Sequence, residues 1–174
     1  MSDGSISRGR LPTIVSYGLD SVGIISNDLA DASAIWPTAN LAIFVPFRIA
    51  EPRIAVQLFV KNGAVVSGNI DIGIYDRTGV QLVSAGSTLQ SGVNDSQEFN
   101  ITDTLLGAGV FLLAVALDNI TGTTFRIAPA NAGVLKQFGC AQQATAFALP
   151  ATATLATITS AYLPYMGIQF RTLL

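Results

Sequence analysis

The chain has 174 residues, a formal charge of −2, no histidine and one cysteine, with 11% charged and 50% hydrophobic residues. Without histidine there is no Ser-His-Asp or Cys-His machinery, no His-ligated zinc and no imidazole pH switch, and one cysteine excludes an intramolecular disulfide framework. The nine basic residues are scattered, which argues against nucleic-acid binding, and the opening MSDGSISRGR lacks the apolar core of a signal peptide.

The length suits one domain that can bury roughly 69% of its unfolded surface, enough for a core without disulfides. The charged fraction is less than half the ~25% usual for soluble domains. Such a neutral surface is expected to be covered in part by another chain. The most hydrophobic run, Leu105 to Leu117, is 13 residues long and holds two glycines, too short to span a bilayer.

In chain order, residues 1–12 read as a flexible N-terminal arm, and Thr13–Ser16 and Val22–Ser26 as two short strands. Leu41 to Ile49 alternates, with Leu41, Ile43, Val45, Phe47 and Ile49 on one face, the period-two pattern of a half-buried strand. Pro46 inside it predicts an edge strand or a bulge. Arg53 to Lys61 puts Ile54, Val56, Leu58 and Val60 on one face and Arg53, Gln57 and Lys61 on the other. Asn69 to Ala85 is a hairpin: Ile70, Ile72 and Ile74 alternate with Asp71, Gly73 and Tyr75, and Asp76-Arg77-Thr78-Gly79 has the chemistry of a type I turn. Strands follow at Gln97–Thr102, Val110–Asp118, Thr123–Ala128 and Tyr165–Arg171. Val110 to Leu117 is apolar on both faces, so it reads as a central strand in preference to a buried helix. No long amphipathic helix or internal repeat is visible.

Turn signals every 8–12 residues make the expected fold all-β, a single-domain antiparallel β-sandwich or jelly roll over residues 13–174. From Ile127 to Phe170 the only charge is Lys136. That stretch reads as a connection folded over the sandwich, as a subunit contact, or as both, because interface cores are depleted of charge.

The candidate sites are sparse. Asp71, Asp76 and Asp118 are the carboxylates that could converge for glycoside hydrolysis, but Asp76 and Asp118 have the places of turn residues. Asp and Asn oxygens could hold calcium, yet nothing matches the spacing of a calcium loop. Gly107-Ala108-Gly109 opens a strand and so lacks the helix N-terminus of a phosphate site. Asn94, Asn100 and Asn119 each begin an N-x-[ST] tripeptide, which without a secretory signal is coincidental. Cys140 reads as a small buried hydrophobe. Trp36, Tyr75, Tyr162 and Tyr165 are the aromatics that could stack on a sugar or form an interface, with Tyr75 expected on an exposed face. No catalytic residue, cofactor or metal site is expected.

Several stretches together resemble small β-sandwich structural proteins of tailed bacteriophages. They are Trp36-Pro37-Thr38-Ala39-Asn40 leading into Phe44–Phe47, Val66-Ser67-Gly68-Asn69 with Ile74-Tyr75-Asp76, and Leu82-Val83-Ser84 with Gly86-Ser87-Thr88. Asp118-Asn119 and Leu149-Pro150-Ala151-Thr152-Ala153-Thr154 complete the pattern, which covers Trp36 to Arg171. The resemblance implies a non-enzymatic virion component that reaches the particle from the host cytoplasm. It would be a capsid decoration or cement protein, a homo-oligomer with a trimer favoured, contacting the major capsid protein and neither nucleic acid nor membrane. The alternative is a carbohydrate-binding module of a tail fibre or baseplate.

Overall fold

The computed structural model describes residues 32–127 and 131–171; the expected arm (1–12) and the expected strands Thr13–Ser16 and Val22–Ser26 lie outside them. Twelve strands and one short helix are present among the described residues. In the larger sheet the order is β11 (Ala156–Thr157), β10 (Ala141–Gln143), β2 (Ala42–Ile49), β8 (Gly109–Leu117), β4 (Asn69–Tyr75) and β5 (Gln81–Ser84), with β6 (Thr88–Leu89) also pairing β4. The smaller sheet is β12 (Met166–Arg171), β3 (Arg53–Lys61) and β7 (Ser96–Leu106), and β1 (Ala32–Ile35) forms a ribbon with β9 (Thr123–Arg126). Every pairing is antiparallel. The steps β2 to β3, β3 to β4 and β7 to β8 each change sheet. The fold is an all-β sandwich, as the turn spacing predicts. Among the described residues no helix is long and apolar enough to cross a membrane.

The main core lies between the two sheets. Ile43, Val45 and Phe47 of β2, Ile70, Ile72 and Ile74 of β4, and Leu113 and Val115 of β8 meet Leu58 and Val60 of β3, Phe99 of β7, and Met166 and Ile168 of β12. Each of these runs alternates at period two, so one face of every strand enters the core. β8 is the central strand between β2 and β4, which explains why it is apolar on both faces.

The second face of the larger sheet is buried too. Ala42, Phe44, Tyr75, Leu112, Ala114 and Ala116 pack under Ala146, Leu149 and Ala153. The charge-poor stretch therefore does fold over the sandwich. The three alanines of the sheet present small side chains to this cover. Gly73 on the same sheet face is instead tight against β5, where an added Cβ would lie 2.8 Å from the Val83 carbonyl oxygen. The cover is tied down by Ala146 N to Asn40 O (2.7 Å), Gln81 N to Ala151 O (2.9 Å) and Ala153 N to Gly79 O (2.7 Å). The same stretch holds the helix α1 (Ala132–Gln137), whose first turn is capped by Asn131 Oδ1 accepting from Val134 N at 2.9 Å.

Three expectations are corrected. Tyr75 does face away from the isoleucines of β4, but that face is covered, and the residue is fully buried. Pro46 lies in an interior strand without a register shift against β8. It is accommodated because β10 reaches along β2 only as far as Phe44, so at Pro46 the strand has a single neighbour. In β3 the predicted apolar face holds for Leu58 and Val60 but not for Ile54 and Val56. The ladder skips Val56 against both neighbours, and Ala55 takes the core position instead. A bulge re-aims every side chain on its far side, which simple alternation does not anticipate.

The β4–β5 hairpin is as expected, and its turn is fastened by Asp76. Its Oδ1 accepts from Thr78 Oγ1 (2.7 Å), Thr78 N (2.8 Å) and Val80 N (3.0 Å), and Gly79 supplies the positive φ of 91°. The Thr78 hydroxyl and the Val80 N–H hold the Asp76 carboxyl below its usual range.

At the opposite end of the sandwich Gly68 has φ +66°, and a Cβ there would clash with Asn119 Nδ2 and Asp118 Oδ1. Gly68→Ala is therefore expected to destabilise the fold by about 1–3 kcal/mol. Chemical denaturation checks this; a change within ~0.5 kcal/mol would contradict it.

Candidate functional site

The four candidate aromatics do not form one surface. Trp36 is fully buried; its Nε1–H donates to the Leu41 carbonyl at 2.9 Å, and its ring meets Tyr162 edge-on with centroids 5.2 Å apart. The Tyr162 hydroxyl is also buried, 2.8 Å from Thr124 Oγ1 and 3.0 Å from the carbonyls of Ala34 and Thr124. Tyr75 donates to the Pro150 carbonyl (2.7 Å) and accepts from Gln81 Nε2 (3.0 Å), and burial pushes its pKa up to about 12. Rings so enclosed cannot stack on a ligand; they hold the core and its cover. Tyr165 alone is half-buried, beside Phe59, with Lys61 Nζ 5.4 Å from its ring centre.

The carboxylates do not converge either. Asp76 and Asp118 lie at opposite ends of β4, roughly 20 Å apart along a seven-residue strand. Burial pushes the Asp118 pKa up, but the Asn119 amide, the Asn69 backbone and side-chain hydrogen bonds and its own backbone together lower it. Asp71 lies under the cover, where its Oδ1 accepts from Ser84 Oγ (2.6 Å) and its Oδ2 from Leu149 N (3.0 Å). Burial raises its pKa against these hydrogen bonds. Each is occupied by a structural hydrogen-bond set. Among the described residues no three His, Cys, Asp or Glu side chains gather as a metal site. Cys140 is buried, and desolvation pushes its thiol up to about 12, which makes it an unreactive core side chain.

Two surface features stand out instead. The first is the loop end of the sandwich, where large aliphatics stand exposed: Ile35, Val65, Leu89, Val93 and Ile120. Their loops are tied to one another. Thr123 N donates to Val65 O (2.8 Å), Asn94 N to Gly63 O (2.9 Å), and Asn119 Nδ2 to Ser67 O (2.8 Å), while β1 pairs Ile35 with Thr123. Beneath them a buried amide pair holds the end together. Gln90 Nε2 donates to Asn62 Oδ1 and to the Thr123 carbonyl, both at 2.9 Å, and Gln90 Oε1 accepts from Ser67 N at 2.9 Å.

The second feature is a groove of about 650 Å³ on the outer face of the smaller sheet. It opens where the ladder is irregular. Between the pairs Gln57↔Asn100 and Ala55↔Thr104, one residue of β3 faces three of β7, and β12 also slips at Gln169. Its lining includes Gln57, Asn100 and Gln169, with the ion pair Arg171 Nη2–Asp103 Oδ2 (2.7 Å) at its rim. Sequence alternation puts Gln57 and Gln169 on polar faces, but the groove itself depends on the bulge and is not visible in the pattern.

Comparison with known proteins identifies no relative: no family model matches, no curated protein is similar, and no solved structure shares the fold at a significant level.

Proposed function

We propose that this chain is a non-enzymatic structural protein of a tailed-bacteriophage particle, a subunit that decorates or cements the capsid. The resemblance over Trp36 to Arg171 motivates the reading, and the cluster of exposed aliphatics on the tied loops at one end carries it. Five large apolar side chains on a braced loop surface, in a chain with 11% charge, are suited to docking against the major capsid protein or neighbouring copies. A closed ring such as a trimer satisfies such contacts by symmetry. Binding across capsomer boundaries favours the assembled shell by mass action.

Particles banded from a lysate of cells that carry the gene test this directly. Quantitative mass spectrometry is expected to find the chain in fixed ratio to the major capsid protein. Purified chain carrying Leu89→Glu and Ile120→Glu is expected to keep its melting temperature within ~2 °C while losing re-association with stripped heads by more than about tenfold. A chain missing from the banded heads, or a double variant that re-associates normally, overturns the reading.

A further inference from the structure

The groove on the smaller sheet has a composition that the capsid reading does not use. Gln57 of β3 pairs directly with Gln169 of β12 on one side and with Asn100 of β7 on the other. Three carboxamides therefore lie in one row across three strands, spanning about 10 Å at the usual strand spacing. Gln57 Nε2 donates to Asn100 Oδ1 and to Glu98 Oε2, both at 3.2 Å, which fixes the plane of the central amide. Asn100 and Gln169 are exposed beside it.

A carboxamide carries both donors and acceptors, and so does a sugar hydroxyl, so a row of amides matches a row of hydroxyls in either sense of each bond. Beside the row the bulge places Val56, Ile101 and Phe170 in the groove, an apolar surface for the C–H faces of a pyranose. Phe170 packs against the core, which holds this wall in place. Asp103 and Arg171 are paired with each other at the rim, and Glu98 accepts from the central amide, so the remaining charge beside the row is negative and disfavours anionic ligands. The groove is open, so it suits one face of an extended ligand lying along it.

We propose that this groove binds a neutral oligosaccharide, with two sugar units lying along the row Gln169–Gln57–Asn100. This site is separate from the loop end, so it stands or falls independently of the capsid reading.

The test uses the full ¹⁵N-labelled chain titrated with cello-, malto- and chitotetraose, and with tetragalacturonate as the anionic comparison. At least one neutral tetrasaccharide is expected to shift the side-chain amide signals of Gln57, Asn100 and Gln169, with roughly millimolar affinity. Gln57→Ala is expected to weaken that binding about tenfold, and Gln169→Ala, an exposed position on an edge strand, to weaken it several-fold without altering thermal unfolding. The proposal is overturned if no neutral probe moves these signals, if the shifts map elsewhere, if both variants bind like the parent, or if tetragalacturonate binds more tightly.

Discussion

Trp36→Ala is expected to be the most damaging single change outside the backbone, costing about 3–5 kcal/mol. The indole is fully buried, so its removal leaves a cavity between the ribbon and the sandwich, and the edge-on contact with Tyr162 goes with it. The Leu41 carbonyl also loses the Nε1–H donor that holds it at 2.9 Å. At ~2–4 °C per kcal/mol for a chain of this size, the melting temperature should fall by roughly 6–20 °C. Trp36→Phe separates the two effects: it retains most of the packing and is expected to lose the smaller part, ~1–2 kcal/mol. A Trp36→Ala protein within about 1 kcal/mol of the parent by urea titration would show that the indole is not part of the core.

Asp71→Ala should be nearly as costly, about 2–4 kcal/mol, because it leaves the buried Leu149 N–H and Ser84 hydroxyl without their acceptors. Asp71→Asn keeps an acceptor for Leu149 N and a donor toward Ser84, and its cost depends on pH. The folded-state pKa of Asp71 is raised by burial, so the folded protein holds this proton to a higher pH than the unfolded chain does. Its contribution to stability is then fully present below the ordinary value of 3.8 and is lost as pH rises through the raised folded value. Asp76 and Asp118 act in the opposite sense, since their folded pKa values are lowered. The difference between Asp71→Asn and the parent cancels those groups. That difference should shift in favour of the asparagine variant over the window that opens at the ordinary carboxyl value of 3.8 and runs up through the raised folded value. A difference that is flat across this window, read by thermal melts at several pH values, would contradict the assignment.

Much of the fold was legible because it follows from local alternation. The β4–β5 hairpin, β3 over Arg53–Lys61, and β8 as a central strand all follow from periodicity and turn chemistry. What escaped depends on distant partners. The aromatics chosen as ligand candidates, Trp36, Tyr75 and Tyr162, are buried because residues 75 to 128 positions away in sequence close over them. Nothing in the local pattern of β4 shows that its second face is covered. The three-amide row is legible only in part. Gln57 and Gln169 fall on polar faces, but their juxtaposition with Asn100 requires the strand order and the slip at Val56.

The strand order of the smaller sheet also bears on how the chain reaches its native state. β3 is paired on one side by β12, so Val60 meets Met166 across more than a hundred intervening residues. β2 likewise finds β8 with Ala42 opposite Ala116. Pairings so remote in sequence raise the contact order, and folding on a millisecond-to-second scale is expected of such topologies. During synthesis β3 emerges long before β12, and Leu58 and Val60 cannot be sealed until Met166 and Ile168 arrive. A nascent chain of this kind carries an uncapped edge of β3 while the roughly one hundred residues up to β12 are made. Self-association of partly made chains through that edge is the hazard such a topology carries.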